Sequence, residues 1–207
     1  FKIVQNKLHY AITGKTAAEL IYERVDSEKI HMGLTNWKKS PDGKIMKYDI
    51  SIAKNYLEKE ELDKLRTSIN ITDKALQFVL STLKPGMMEN QVQANFEYMI
   101  KYEGADEVSF GTIAGSGYNA TMLHYHENNC VCKDGDLILL DLGAKKDGYC
   151  ADITRTYPIN GKFTPRQKQF YDIVLKANRT VLAEAKPGMS TLDLNNICKR
   201  VLADGLK

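Results

Sequence analysis

Two aspartates, Asp141 and Asp152, lie on either side of a turn signal in residues 137–157, LILLDLGAKKDGYCADITRTY. Residues 137–141 are a short apolar run of the kind expected in a strand buried on both faces. Residues 149–157 are rich in β-branched and aromatic side chains, which suit a pleated surface. Between them stands Lys145-Lys146-Asp147-Gly148, and Asp-Gly favours a hairpin because Gly accepts positive φ. If all four residues form the loop, Asp141 falls opposite Asp152. If only Asp147 and Gly148 turn, Asp141 faces Thr154 and Asp152 is its diagonal neighbour. Both registers put the two carboxylates on one face. Like charges so placed repel. In a buried setting one must protonate, or a cation must sit between them. Facing oxygen ligands suit a divalent metal such as Mn, Co or Zn. The competing reading is a pair of surface aspartates on an exposed hairpin.

Helices and strands must position this ribbon. Residues 58–83 read as a long helix with an apolar stripe of Leu62, Leu65, Ile69, Leu76, Val79, Leu80 and Leu83. Lys84-Pro-Gly-Met87 stops it. Residues 89–103 read as a second helix with Val92, Phe96, Met99 and Ile100 on one face. A strand is expected at 108–114, a tight loop at 115–117, and short strands or irregular edges at 123–125 and 129–133. Beyond the ribbon, Thr164-Pro165-Arg-Gln167 is a capping box that starts a helix running to about Ala185. Its expected inward residues are Phe170, Ile173, Val174, Ala177 and Val181. Lys186-Pro-Gly-Met189 stops that helix in turn, and residues 192–202 begin another. The Lys-Pro-Gly-Met stretch thus repeats between two helix pairs, with Val92, Phe96 and Ile100 matching Leu194, Cys198 and Leu202.

Several of these motifs resemble one family. Asp141, the step to Asp152, and the continuation ITRTYPINGKFTPRQKQFYDIVL resemble the M24 "pita-bread" metallopeptidases, in particular the Xaa-Pro aminopeptidases and prolidases. Upstream, Gly115-Ser-Gly-Tyr-Asn-Ala-Thr-Met-Leu-His124-Tyr matches the same family's substrate-side histidine motif. The resemblance covers about residues 60–207. It implies an α+β, incomplete pita-bread fold containing the first half and the helices of the second, in line with the internal repeat. It also implies a hydrolase using two divalent metal ions on a peptide with proline in the second position. By similarity, Asp141 chelates one metal, Asp152 bridges both, and His124 donates to the substrate carbonyl. Thr154 and Thr156 share the Asp152 face and can support a ligating carboxylate. His126 is read as a neighbour of His124 and not as a ligand.

The family's site also needs a histidine and two glutamates from its second half. The histidines here are His9, His31, His124 and His126, and the downstream acids Glu184, Asp193 and Asp204 fall in expected helices. Two carboxylates alone hold a divalent ion weakly. The expectation is therefore weak or absent metal binding and no peptidase activity from this polypeptide alone.

Residues 1–56 resemble the RhuM-type virulence-associated family, which supplies no mechanism. They read as a small, mainly helical segment, with a helix at 16–25 capped by Thr16, a turn at 40–43 and another helix from Asp49. The domain division is therefore 1–57, RhuM-like, and 58–207, the N-terminal part of an M24 catalytic domain. Each piece is incomplete by its own family's pattern, which favours an artificial join over a natural fusion. The opening Phe1 likewise points to a fragment.

Composition bounds the remaining functions. With 207 residues, 43% hydrophobic and 27% charged, the chain reads as soluble and globular. A net charge of +3 does not argue for nucleic acid, and Lys38, Lys39, Lys44 and Lys47 read as a solvated loop. No apolar run is long enough to span a bilayer and no signal-peptide pattern opens the chain. Cys130, Cys132, Cys150 and Cys198 fit no zinc signature and read as reduced thiols of a cytoplasmic protein. A homodimer is left open. The alternative function is a non-catalytic binding or regulatory protein with an M24-like fold.

Overall fold

Residues 17–35, 40, 43–46, 50, 59–186 and 189–207 are described by the structure, a computed structural model. The expected Thr16 cap, most of the helix from Asp49, half of the turn at 40–43, three of the four loop lysines and the 57/58 boundary lie outside these residues.

The chain falls into two units, one up to Asn160 and one from Gly161. In the first, helix α1 (Ala17–Arg24) buries Leu20 completely. Leu20 and Leu34 pack with Ile21 and Val25 against Leu62 and Leu65 of α2 (Lys59–Thr82). Arg24 grips the Glu61 carboxylate at 2.8 and 3.0 Å. Further along, α2 buries Ile71, Ala75, Leu76 and Val79, together with the polar Ser68 and Thr72. Ile69 is 40% exposed, against the expected stripe. It lies one residue, about 100° of helix, beyond the line that Ser68, Thr72, Ala75 and Val79 follow. Helix α3 (Glu89–Tyr102) presents Val92, Phe96 and Ile100 at four-residue spacing, and all three are buried.

Two antiparallel three-stranded sheets complete this unit. One has the order β2 (Ile113–Ser116), β3 (Leu137–Leu142), β6 (Ile153–Pro158). The other has the order β1 (Glu107–Val108), β4 (Ala144–Lys146), β5 (Tyr149–Cys150). The single strand expected at 108–114 is therefore two, because Ser109 to Thr112 leave the ladder. Strand β3 also differs from the expected two-sided burial. Ile138, Leu140 and Leu142 are buried in the core with Ile71, Val79 and Phe96, while Leu137, Leu139 and Asp141 on the other face are only partly buried.

The turn takes the shorter of the two registers. Lys146 pairs with Tyr149, Asp141 with Thr154 and Leu142 with Ile153. Asp147 and Gly148 both carry positive φ, 51° and 82°, the twist a two-residue hairpin loop needs.

In the second unit, α4 (Pro165–Glu184) starts with the expected box. The Gln167 amide donates to Thr164 Oγ1 and the Thr164 amide donates to Gln167 Oε1. Helix α5 (Thr191–Gly205) buries Ile197 and Val201. In α4 only Ala177 is buried, while Phe170 and Val174 are 41% and 60% exposed rather than inward. Two helices share only a narrow seam, too little to cover the whole apolar stripe of α4. No helix among the described residues is long and apolar enough to cross a membrane.

Two side chains of α2 tie the ribbon to the helical layer. Thr72 Oγ1 accepts the Ala144 amide at 2.9 Å and donates to the Ser68 carbonyl, and Ser68 Oγ donates to the Tyr149 carbonyl at 2.6 Å. Thr72→Val keeps the shape but leaves the Ala144 N–H buried and unpaired. Urea denaturation should show a loss of about 1–3 kcal/mol, with Thr72→Ser close to the parent.

Candidate functional site

The face of the ribbon is set by its core side. With Leu140 and Leu142 buried, period-two alternation sends Asp141 outward. Thr154, directly across, donates its hydroxyl to Asp141 Oδ1 at 2.7 Å. Asp152 precedes β6 by one residue and shares that face. It keeps an exposed side, yet its carboxyl is pushed above the ordinary aspartate range. Loss of solvation is the larger cause, followed by the charge of Asp141 and a hydrogen bond shared with it. Among the described residues no lysine or arginine pairs with either acid. Two carboxylates within hydrogen-bonding reach and without a counter-charge form a site that favours a proton or a cation between them.

The ribbon narrows at Gly143. A Cβ there would lie 1.9 Å from the Ala151 carbonyl oxygen. Only glycine lets the chain at 151–152 cross so closely, and this crossing carries Asp152 to the edge of Asp141's row.

His124 lies elsewhere on the chain, in the loop that follows β2. It is exposed and adopts a left-handed backbone, φ 55°. No group of three or more His, Cys, Asp or Glu side chains among the described residues could hold a metal. The structure therefore brings Asp141, Asp152 and Thr154 together and leaves His124 outside that cluster. His126 is exposed, its ring against Gly111, where an added Cβ would meet Nδ1 at 3.3 Å. All four cysteines are free.

The histidine loop hangs on a residue that sequence reasoning missed. Glu89, at the first turn of α3, is fully buried. Its Oε1 accepts the amide and hydroxyl of Ser116, each at 2.7 Å, and the Asn119 side chain at 3.1 Å. Its Oε2 accepts the Tyr125 hydroxyl at 2.7 Å and the Cys130 amide at 3.0 Å. Burial works against the charge. The bonds from Tyr125, Ser116 and Cys130 outweigh it and hold the carboxyl below the usual glutamate range. Tyr125 is in turn pushed up by burial and by this bond. Asn128 makes a second anchor. It accepts the Ala114 amide and donates to the Thr112 carbonyl, as a neighbouring strand would, and it also donates to Gln93 of α3. In the sequence Glu89 looks like any acid at a helix start, favourable for the helix dipole alone. Nothing in its spacing signals the five donors that converge on it from residues 116–130.

Comparison with known proteins places these features. The model of metallopeptidase family M24 matches residues 63–207, and that of the virulence protein RhuM family matches residues 1–106. The chain is 42% identical over 147 residues to an Xaa-Pro aminopeptidase of Escherichia coli, covering 71% of this chain and 33% of that protein. It is 31% identical over 204 residues to an Xaa-Pro dipeptidase of Pyrococcus furiosus, covering 99% of this chain and 56% of that protein. The solved structure of zinc-substituted E. coli aminopeptidase P in complex with product superposes with a TM-score of 0.69 at 41% identity, over 72% of this chain and 34% of that one. The chain thus spans about a third to a half of the length of these relatives, and its fold is part of the pita-bread architecture.

Glu89 gives a measurable signature. Glu89→Ala strands several buried donors and should lower the unfolding free energy by about 3 kcal/mol or more. A carboxyl held below its unfolded value stabilises the fold above that value and loses the contribution as pH falls through its folded value. The stability gap between the parent and Glu89→Gln should therefore be full at neutral pH and shrink on acidification below the ordinary glutamate range. Urea denaturation across that pH range checks the sign.

Proposed function

The chain belongs to metallopeptidase family M24 through residues 63–207 and to the virulence protein RhuM family through residues 1–106, and from the first membership we propose that residues 58–207 are the N-terminal part of the catalytic domain of a metal-dependent Xaa-Pro peptidase, behind a RhuM-like segment at 1–57. The observation that carries the reading is the Asp141–Asp152 pair, two oxygen donors on one face with no positive partner among the described residues. This donor set fits a hard or borderline divalent ion, Mn, Co or Zn. Asp141 would hold one ion and Asp152 would be shared between two.

Such ions, when bound, lower the pKa of a water and polarise a peptide carbonyl. The chain's own residues orient the parts. Thr154 fixes the Asp141 carboxylate through its hydroxyl, the kind of support that sharpens a ligand's geometry. His124 offers an N–H to the carbonyl oxygen under attack, where developing negative charge is stabilised. The substrate class is a peptide with proline in the second position. Similarity to both an aminopeptidase and a dipeptidase of Xaa-Pro type supports that class, and the zinc-substituted relative supports the divalent ion.

By itself the 207-residue polypeptide holds the ions weakly and does not turn over substrate, because no histidine follows Asp152 and two carboxylates make an incomplete ligand set. A second reading, a non-catalytic binding or regulatory protein, draws on that lack of a third ligand among the described residues.

Calorimetric titration with Mn²⁺ should show weak binding that Asp141→Ala abolishes, and an Xaa-Pro dipeptide incubated with protein and Mn²⁺ should remain intact. Turnover would contradict the inactivity. No binding by the unmodified chain would favour the second reading.

A further inference from the structure

His124 sits in a run that buries almost nothing. Of residues 121–127, Tyr125 alone is buried, at 5% exposure. His124 itself is left-handed, φ 55°, a region that a residue with a side chain seldom occupies because its Cβ approaches the following carbonyl. Such a backbone persists where its surroundings over-determine it. The His124 imidazole makes no hydrogen bond with any described residue, so the ring does not hold the backbone in place.

Its neighbours do. Before His124, the Met122 amide donates to the Asn119 carbonyl at 3.1 Å. After it, the Tyr125 hydroxyl donates to Glu89 Oε2 at 2.7 Å and accepts the Asn119 side chain at 2.9 Å. The Asn119 side chain also donates to Glu89 Oε1 at 3.1 Å. Asn119 thus pins the chain on both sides, through its carbonyl at Met122 and its side chain at Tyr125, and Glu89 pins Asn119 and Tyr125 to α3. Only Leu123 and His124 lie between these tethers. Leu123 is 94% exposed, so its own packing does not decide the path. With both ends fixed, the chain must turn back to bury Tyr125, and the left-handed backbone at His124 makes that turn.

We propose that Tyr125 is a positioning residue: its hydroxyl, clamped between Glu89 and Asn119, keeps the backbone of His124 left-handed and so presents the exposed imidazole to the substrate carbonyl. The last step rests on the reading of His124 as the donor to that carbonyl; the clamp does not. Tyr125 touches no substrate. Phenylalanine in its place fills the same space and leaves His124 its ring, so the hydroxyl is the whole difference.

The experiment is nuclear magnetic resonance on the full chain, comparing the parent with Tyr125→Phe. A residue with positive φ brings its own amide and α protons close together and gives a strong cross-peak between them. The parent should show that cross-peak at His124, and Tyr125→Phe should lose most of it as the residue relaxes to negative φ. Asn119→Ala, which keeps the tyrosine, carries the same test if Tyr125→Phe fails to fold. A purely structural hydroxyl would lower the melting temperature of Tyr125→Phe and leave the His124 cross-peak at parent strength, and that result overturns the inference. Melting supplies an independent check. Glycine takes positive φ without a steric penalty, so His124→Gly should raise the melting temperature more in the parent than in Tyr125→Phe, where the constraint is gone. An equal change in the two backgrounds overturns the clamp. An Xaa-Pro dipeptide at high concentration then tests what the ring is for. The His124 ring proton should shift in the parent and shift less in Tyr125→Phe. No shift in the parent overturns the reading of His124 as the donor and leaves the clamp standing. Equal shifts in both proteins overturn the positioning role.

Discussion

Two like charges held on one face of a β-ribbon, with no lysine or arginine among the described residues to offset them, are the constraint around which this structure is arranged. The arrangement is set from behind. Ile138, Leu140 and Leu142 lock into the helical layer, and a slip of one residue would send all three to the wrong face. The same alternation fixes Asp141 on the open face, and the two-residue turn at Asp147-Gly148 then brings Asp152 to its diagonal. Gly143 allows the crossing strand to come close enough to complete the pair. Core packing, turn chemistry and one glycine together produce an electrostatic tension that none of them would produce alone.

Helix α3 serves two surroundings at once. One face drives Val92, Phe96 and Ile100 into the core. Another carries Glu89, Gln93 and Glu97 at four-residue spacing, and these read the far side of β2 and the histidine loop. Glu97 accepts from Gln93 and from Thr112, Gln93 accepts from Asn128, and Glu89 gathers Ser116, Asn119, Tyr125 and Cys130. A buried carboxylate is tolerated because so many donors meet it. The loop bearing His124 is thereby tied to the same helix that supports the acid ribbon, although its left-handed backbone is an uncommon one for a histidine.

Much of this was legible in the sequence, for identifiable reasons. The long amphipathic helices, the Thr164 capping box and the Asp-Gly turn depend on near neighbours, so their signals are local. The choice between registers was not legible, because both keep the acids on one face and only the pairing partner of Asp141 distinguishes them. The division of residues 107–116 into two strands was hidden as well. There Asn128, reaching back from a distant loop, takes the Thr112 carbonyl and the Ala114 amide. Phe170 and Val174 were expected inward because periodicity shows which side of a helix is apolar and not whether anything covers it. Glu89 gave no sign, since an acid at a helix start is commonplace.

Relieving the tension in the acid pair shows most directly whether it is a cation site. Thermal melting of the metal-free chain should rise on Asp152→Asn, which removes one of the two charges and keeps the shape. Added Mn²⁺ should raise the melting temperature of the parent and leave Asp152→Asn unmoved. If Asp152→Asn melts with the parent and Mn²⁺ shifts neither protein, the two acids are ordinary surface carboxylates and the pair is not a cation site.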